Sequence, residues 1–245
     1  MRNIKLTIEY DGTNYHGWQI QKNAVTVQEY VEKALAKLLG TETGVTGCSR
    51  TDVGVHAYGQ VATFHTESNI PAEKFSYALN NLLPEDIVIQ KSEEVSEDFH
   101  PRYSSKGKKY RYLICNSAHQ SALMRNRACH VRPELNFEEM QKASLYFVGE
   151  HDFAAFQATG GQVRSTVREI YSMSMTKKED KIIEIEVTGN GFLYNMVRII
   201  AGTLIYVGMG KLPAEDIPLI LKELDRRKAG KTAPAQGLYL MEIYY

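Results

Sequence analysis

Hydrophobic and polar positions follow two different periods at the start of the chain, and these periods predict a strand followed by a helix. The segment IKLTIEY alternates every two residues, as a half-buried strand does. Thr26 and Glu29 have the spacing of a helix capping box, and apolar residues then recur at helical spacing until Gly40. The apolar stripe of this predicted helix consists of Val27, Tyr30, Val31, Ala34, Leu35 and Leu38.

The periodicity of apolar and polar residues also predicts the remaining elements of the first half. A strand is expected near residues 43–48, a second at QVATFH, a helix from Pro71 toward Leu83, and a strand at DIVIQKSEEV. With the opening strand and helix, these give the order β-α-β-β-α-β, which is that of ferredoxin-like folds.

A comparable order is predicted after residue 105. Strands are expected at KKYRYLICN, TVREIYSMSM, KIIEIEV and GLYLMEIYY, and helices near residues 136–148, across 192–208 and near 213–227. We therefore predict the α+β class, with two ferredoxin-like α+β halves formed by residues 1–105 and 106–245.

Composition narrows the class of protein. The chain has 245 residues, 43% of them hydrophobic and 24% charged, which predicts a folded core and excludes disordered and fibrous classes. The most apolar segment, residues 192–208, is too short for an ordinary membrane span and contains Arg198.

Cys48, Cys115 and Cys129 lack C-x-x-C spacing, which argues against a disulfide framework or zinc ribbon and favours a reducing cytoplasm. No phosphate-loop, dinucleotide or metal-binding motif is present, so cofactor-free chemistry is expected.

The charges balance, with 29 basic and 29 acidic residues, but they are unevenly distributed. Residues 99–133, the acid-free tract, contain no Asp or Glu, and tyrosines alternate with cations there. Such a tract could contact phosphates and stack on bases; alternatively, it is a solvated strand edge whose tyrosines belong to the core. Its basic residues are Arg102, Lys106, Lys108, Lys109, Arg111, Arg125, Arg127 and Arg132, and its interleaved tyrosines are Tyr103, Tyr110 and Tyr112. A second basic cluster consists of Arg226, Arg227, Lys228 and Lys231.

Two charged residues are isolated in the sequence. Asp52 is the only acid within residues 43–66, and Arg198 is the only charge within residues 187–210. A guanidinium in an apolar helix needs an acceptor, and Asp52 is the natural candidate. The pairing would keep the carboxylate ionised, which suits nucleophilic attack or charge stabilisation. The alternative is that Asp52 is an ordinary turn residue or helix cap.

The residues around Asp52 leave further alternatives open. Glycines at 47, 54 and 59 would let backbone or a ligand approach the carboxylate closely. His56 suggests an acid–base dyad with Asp52, although a histidine in a tight loop is more often a hydrogen-bonding spacer.

Five sequence motifs show a resemblance to a known family. GCSRTDVGVHAYGQVATF resembles the catalytic loop of the tRNA pseudouridine synthase A (TruA) family, which usually contains G-R-T-D-A-G-V-H-A followed by G-Q-V. Ser49 stands in place of the commoner Gly and Val53 in place of Ala. Four more segments resemble family signatures in the same order, so the resemblance covers essentially the whole chain: IEYDGTNYHGWQIQ, DFHPRYSSKGKKYRYLI, GNGFLYNMVRIIAGTL and KTAPAQGLYL.

The resemblance implies roles for individual residues. Asp52 matches the catalytic aspartate, and Arg50 matches the basic residue two positions before it. Tyr110 matches the tyrosine that packs on the target base, and Arg198 matches the arginine that pairs with the aspartate. His56 lies in the same motif and is expected among the substrate-binding residues. The family's fold implies a mostly antiparallel central sheet with the active-site cleft between the halves.

The implied reaction is the isomerisation of uridine to pseudouridine in the anticodon stem-loop of tRNA, at positions 38, 39 and 40, by a cytoplasmic homodimer without cofactor or metal. The target base is flipped into a pocket lined by Tyr110 and Arg198, and Arg50 is our candidate for holding the strand open. Asp52 is the nucleophile, at C1′ or C6, or assists at C2′. Two alternatives remain: a non-catalytic RNA-binding protein such as a tRNA chaperone, and a small-molecule hydrolase using Asp52 with His56.

Overall fold

The computed structural model describes residues 1–161 and 163–245, and the chain divides into two compact units. The first comprises Met1–Lys106 together with Tyr239–Tyr245, and the second comprises Gly107–Leu238. Each unit contains both helices and strands. The predicted α+β class and two-half organisation are therefore confirmed.

In the first unit, antiparallel strands form most of the sheet. β1 pairs with both β3 and β4, and the short β2 also pairs with β3. Ile4, Leu6 and Ile8 of β1 are fully buried, as the two-residue alternation predicted. The elements are β1 (Arg2–Tyr10), α1 (Val27–Leu39), β2 (Thr46–Gly47), β3 (His56–Thr66), α2 (Lys74–Asn80) and β4 (Ile87–Val95).

Helix α1 confirms the predicted stripe but not the predicted capping box. Thr26 occupies the N-cap position, yet its hydroxyl makes no capping hydrogen bond. Glu29 instead accepts a hydrogen bond from Lys33, one turn later on the helix surface. Gly40 ends the helix in the left-handed conformation, at φ 73°, as predicted from its position.

In the second unit the strands are again mostly antiparallel. β5 pairs with β9, β9 with β8 and β8 with β7, while β6 runs parallel to β5. The strands β6 and β7 were not predicted, because segments this short show no measurable alternation. The elements are β5 (Gly107–Asn116), β6 (Cys129–Val131), α3 (Phe137–Leu145), β7 (Gly149–Asp152), β8 (Val167–Lys177), β9 (Ile182–Gly189), α4 (Met196–Gly208) and α5 (Ile217–Glu223).

The last strand corrects the predicted domain assignment. The sequence placed all of residues 106–245 in the second half, whereas Tyr239–Tyr245 belong to the first unit. Strand β10 (Leu238–Tyr244) pairs in parallel with β3, with Tyr239 opposite His56. This pairing brings the end of the chain back to the unit in which it began.

Helix α4 forms the buried centre of the second unit. Most of its residues are inaccessible to solvent, and Arg198 is a half-buried exception. Across residues 1–161 and 163–245, no helix combines the length and apolar character needed to cross a bilayer.

Candidate active site

Asp52 lies in the loop that connects β2 to β3. The amide of Val55 donates a hydrogen bond to the main-chain carbonyl of Asp52 over 3.1 Å, and Gly54 adopts a positive φ of 76°. Asp52 therefore does occupy a turn, as one alternative proposed, and it is the main chain that closes this turn. The side chain of Asp52 is half-buried.

The segment 10–18 holds this loop in place. Trp18 donates its amide hydrogen to the carbonyl of Thr51 over 3.2 Å, and Gly54 donates to the carbonyl of Tyr15 over 3.3 Å. The hydroxyl of Tyr10 lies 2.7 Å from Oγ1 of Thr51. Three hydrogen bonds thus fix residues 51–54 on both sides of the carboxylate.

Two glycines of segment 10–18 allow the close approach. A Cβ atom on Gly17 would lie 2.3 Å from the carbonyl oxygen of Thr51, and one on Gly12 would lie 2.0 Å from that of Val55. No side chain could be accommodated at either position without moving the loop. The close packing of this segment against the Asp52 loop was not predicted from the sequence, although Gly12 and Gly17 could have indicated it.

The glycines at 47 and 59 serve packing within the protein rather than ligand access. A Cβ on Gly47 would lie 2.2 Å from Nε1 of Trp18, and one on Gly59 would lie 2.5 Å from the carbonyl oxygen of Met241. Trp18 is correspondingly buried. These glycines therefore let the indole and strand β10 pack against the sheet.

His56 is a buried residue, and its predicted place among substrate-binding residues stays a prediction. Its side chain is almost fully inaccessible, and its ring stacks on Tyr239 with centroids 4.7 Å apart. Nδ1 lies 3.0 Å from the amide nitrogen of Gly12 and 3.1 Å from Oδ1 of Asp11. Nδ1 can accept a hydrogen bond from the Gly12 amide or, when protonated, donate one to Asp11, but it cannot do both at once. Either contact connects His56 to the Asp11–Gly12 turn. Burial of this ring also disfavours an acid–base dyad with Asp52.

Gln60 fixes the beginning of the loop that contains Asp52. Its side chain is fully buried, accepts a hydrogen bond from the Ser49 amide over 3.2 Å and donates one to the Ser49 carbonyl over 2.6 Å. Ser49 occupies the position where the commoner motif has glycine. Its hydroxyl oxygen is buried and has no hydrogen-bond partner among the residues that the structure describes.

Replacing Ser49 with Ala is expected to raise the free energy of unfolding by about 1 kcal/mol, because a buried hydroxyl without a partner costs roughly that much. Chemical denaturation monitored by far-UV circular dichroism would measure the change. Ser144→Ala is the matched control, since the buried Ser144 hydroxyl donates to the Gln141 carbonyl over 2.7 Å. This control should lose stability. A lower stability for Ser49→Ala would contradict the prediction.

In the second unit, Arg198 is held in a fixed orientation at the start of α4. Its Nη1 donates to Oδ1 of Asn195 over 2.7 Å, and its Nε donates to the Ala233 carbonyl over 2.8 Å. The Ala233 amide donates in return to the Arg198 carbonyl over 3.0 Å. The guanidinium was predicted to need an acceptor, and Asn195 and the Ala233 carbonyl are two acceptors within its own unit.

The segment 230–234 crosses α4 at a point where small residues permit main-chain contact. A Cβ on Gly202 would lie 1.8 Å from the Lys231 carbonyl oxygen. Oγ1 of Thr203 accepts a hydrogen bond from the Gly230 amide over 2.8 Å and donates to the Ile199 carbonyl over 2.8 Å. The position of Ala233, and hence of the Arg198 side chain, depends on this crossing.

The three tyrosines of the acid-free tract have different environments. Tyr112 is fully buried and donates to the Pro234 carbonyl over 2.7 Å, so it is a core residue and the hypothesis of a stacking surface is wrong for it. Burial raises its pKa well above the usual value. Tyr110 is half-buried and meets Phe192 edge to face, with centroids 5.1 Å apart. Tyr103 is 80% exposed.

Strand β9 neutralises part of the acid-free tract. Lys109 pairs with Glu186 over 2.9 Å, and Arg111 lies 3.1 Å from both Glu184 and Glu186. Burial raises the pKa of Glu186, but hydrogen bonds from Lys109 and Arg111 outweigh this effect and hold it below the usual value. These two cations therefore contribute less to a surface that attracts phosphates than the sequence suggested.

The second basic cluster is also largely engaged within the protein. Arg226 donates to the Gly230 carbonyl over 2.8 Å and so supports the segment that crosses α4. Arg227 pairs with Asp225 over 2.7 Å, and Lys228 pairs with Glu223. The expectation of a continuous basic surface is therefore weakened at this cluster.

Within the described part of the chain, no three His, Cys, Asp or Glu side chains form a group that could hold a metal ion. All three cysteines are buried free thiols.

Comparison with known proteins agrees with the motif pattern. A family model described as tRNA pseudouridine synthase matches residues 6–104 and 143–245. The chain is 78% identical over its full length to the tRNA pseudouridine synthase A of Ruminiclostridium cellulolyticum, 58% identical to that of Acetivibrio thermocellus and 56% identical to that of Thermoanaerobacter sp.. In each case the match covers 100% of both chains. The resemblance found in the sequence is thus confirmed, and the chain belongs to the tRNA pseudouridine synthase A family.

Proposed function

We propose that this tRNA pseudouridine synthase isomerises uridines in the anticodon stem-loop, at tRNA positions 38, 39 and 40, with Asp52 as the nucleophile. The observation that carries the proposal is the fixed geometry of the Asp52 loop. Segment 10–18 holds residues 51–54, and Gln60 holds Ser49. A reactive group whose surroundings are already ordered loses little free energy when it is aligned with its substrate.

The reaction exchanges one bond to the sugar for another. The bond between N1 of uracil and C1′ of ribose breaks, the base turns, and C5 is joined to C1′ as C5 loses its proton and N1 gains one. Atoms and electrons balance without an external reactant. Asp52 would attack C1′ or C6, or assist proton removal at C2′.

The other matched residues would bind and orient the target nucleotide. Tyr110 would pack on the uracil, a role that suits a half-buried ring kept in place by Phe192. Arg198 would act in the same catalytic step as Asp52, and its side chain is oriented for this by Asn195 and Ala233. Arg50 is exposed and would stabilise the opened strand, because extruding a stacked base costs a few kcal/mol.

We also propose a cellular location and an oligomeric state for the protein. A cytoplasmic location is supported by three cysteines that all remain free thiols. We also propose a homodimer, which rests on the family resemblance. Light scattering without tRNA should give about twice the 27.7 kDa mass of one chain, and a monomer mass would contradict the dimer.

The function is tested by incubating the purified protein with an unmodified tRNA transcript that has uridines at positions 38 to 40. Carbodiimide treatment and primer extension should then reveal new stops at those positions. A transcript with cytidines there is the control. Binding of several tRNAs without conversion would favour the non-catalytic alternative. Substrate binding that hardly depends on salt would favour the hydrolase, because phosphate contacts make affinity fall steeply with salt.

A further inference from the structure

A cavity of about 240 Å³ lies in the first unit, next to Arg50. Its polar and aromatic lining is unusual, since it contains two arginines, a histidine and a tyrosine but no carboxylate. Its lining residues include Trp18, Arg50, His100, Arg102 and Tyr103. We call this cavity the flanking pocket.

The turn that forms one wall of the flanking pocket is rigidly built. The amide of Ser104 donates to the His100 carbonyl over 2.9 Å, and the Tyr245 hydroxyl donates to the Pro101 carbonyl over 2.9 Å. Nδ1 of His100 lies 3.2 Å from the amide nitrogens of both Arg102 and Tyr103 and accepts from them. The conformation of residues 100–104 is therefore determined by the protein itself.

Tyr103 is a large aromatic side chain that is exposed and yet held in position. Its ring lies on that of His100, with centroids 4.2 Å apart and planes inclined by 32°, while 80% of the residue remains accessible. An ordered aromatic face exposed to solvent is a surface on which a nucleic-acid base can stack, whatever its identity. By contrast, the exposed Tyr77 has the Lys74 ammonium beside it, 5.2 Å from its ring centroid.

The two arginines of the flanking pocket are available for a ligand. Arg50 and Arg102 are exposed, and neither guanidinium makes a hydrogen bond or ion pair with any residue that the structure describes. Lys109 and Arg111, in the same acid-free tract, are paired with glutamates. Arginine suits phosphate recognition because its planar group donates several hydrogen bonds at once.

We infer that the flanking pocket binds a nucleotide adjacent to the target uridine, with its base stacked on Tyr103 and its phosphates against Arg50 and Arg102. The inference rests on the proposed function, and it adds a binding subsite and two residues, Arg102 and Tyr103, to it. A stacking face beside two cations fits a nucleotide better than a simple anion.

The test uses anticodon stem-loop RNAs in which 2-aminopurine replaces the nucleotide on either side of the target in turn. All proteins carry Asp52→Asn, so that binding is measured without turnover. Stacking on Tyr103 should quench the fluorophore in one of the two RNAs. Tyr103→Ala should abolish this quenching and weaken binding about 5- to 150-fold, the affinity equivalent of a lost base–aromatic stack. Tyr103→Phe should retain both, and Tyr77→Ala is the matched exposed control.

The phosphate contact has a separate readout. Arg102→Gln should reduce the slope of log affinity against log salt by about 0.7 to 1, and the exposed Lys37→Gln should leave it unchanged. Unchanged quenching and affinity in Tyr103→Ala would overturn the subsite. If the parent protein nevertheless converts the same stem-loop, the proposed function survives this failure. A parent that binds but converts none of the RNAs would overturn both.

Discussion

Replacing Asp52 with Asn is expected to slow pseudouridine formation by about 10⁴- to 10⁶-fold, the loss typical of removing a nucleophile. The amide is nearly identical in size to the carboxylate but is a far weaker nucleophile. The hydrogen bonds that fix the loop are made by Tyr10, Tyr15 and Trp18 to its backbone and to Thr51. The loop should therefore keep its conformation, and tRNA should still bind.

Single-turnover conversion of an unmodified tRNA, together with filter binding, separates chemistry from affinity. Asp98→Asn is the control, because Asp98 is an exposed carboxylate of the same unit. It should convert tRNA at the parent rate. Conversion by Asp52→Asn within tenfold of the parent would assign the nucleophile to another group. Thermal unfolding should be measured in parallel, so that lost activity is not mistaken for lost structure.

Gly202→Ala is expected to lower the free energy of unfolding by about 1–3 kcal/mol, the usual cost of an additional methyl group in a tightly packed core. In an ordinary helix interior the same change would stabilise by up to about 1 kcal/mol. Here the new Cβ would lie 1.8 Å from the Lys231 carbonyl oxygen, so backbone must move. The displaced segment carries the Ala233 carbonyl that orients Arg198, and conversion of tRNA should also slow.

Gly208→Ala is the matched control for this prediction, because it lies on the same helix. Its Cβ would meet Sδ of Met140 at 2.6 Å, and an unbranched thioether can move aside more easily than a main-chain carbonyl. Denaturant titration should therefore show a smaller loss for Gly208→Ala than for Gly202→Ala. Equal losses, or a gain in stability for Gly202→Ala, would show that the crossing of segment 230–234 is not tightly packed.

Local periodicity was sufficient to predict most of the regular elements. The buried face of β1 and the end of α1 at Gly40 followed directly from the spacing of apolar residues and glycine. The strand with which a given strand pairs could not be predicted in this way, because residues distant in sequence determine the pairing. The closing segment GLYLMEIYY was correctly predicted as a strand, but nothing in its alternation indicates that it pairs with β3.

In the candidate site, too, the sequence indicated individual residues but not the contacts that hold them. The isolation of Asp52 and Arg198 in the sequence selected both residues for attention. The contacts that hold them are largely made by backbone amides and carbonyls, such as the bond from Trp18 to Thr51, and these groups are the same for nearly every amino acid. Tyr110 and Tyr112 lie on the same face of β5 by alternation. Only the packing around each one distinguishes the half-buried ring from the fully buried one.

The return of the last strand to the first unit has a consequence for synthesis on the ribosome. β1, β3 and β4 are translated early, but β10 becomes available only after every residue of the second unit has been made. Until then β3 lacks the neighbour that pairs beside His56 and Ala57. The nascent first unit therefore carries an incomplete sheet, with backbone groups open to incorrect partners, throughout elongation of the second.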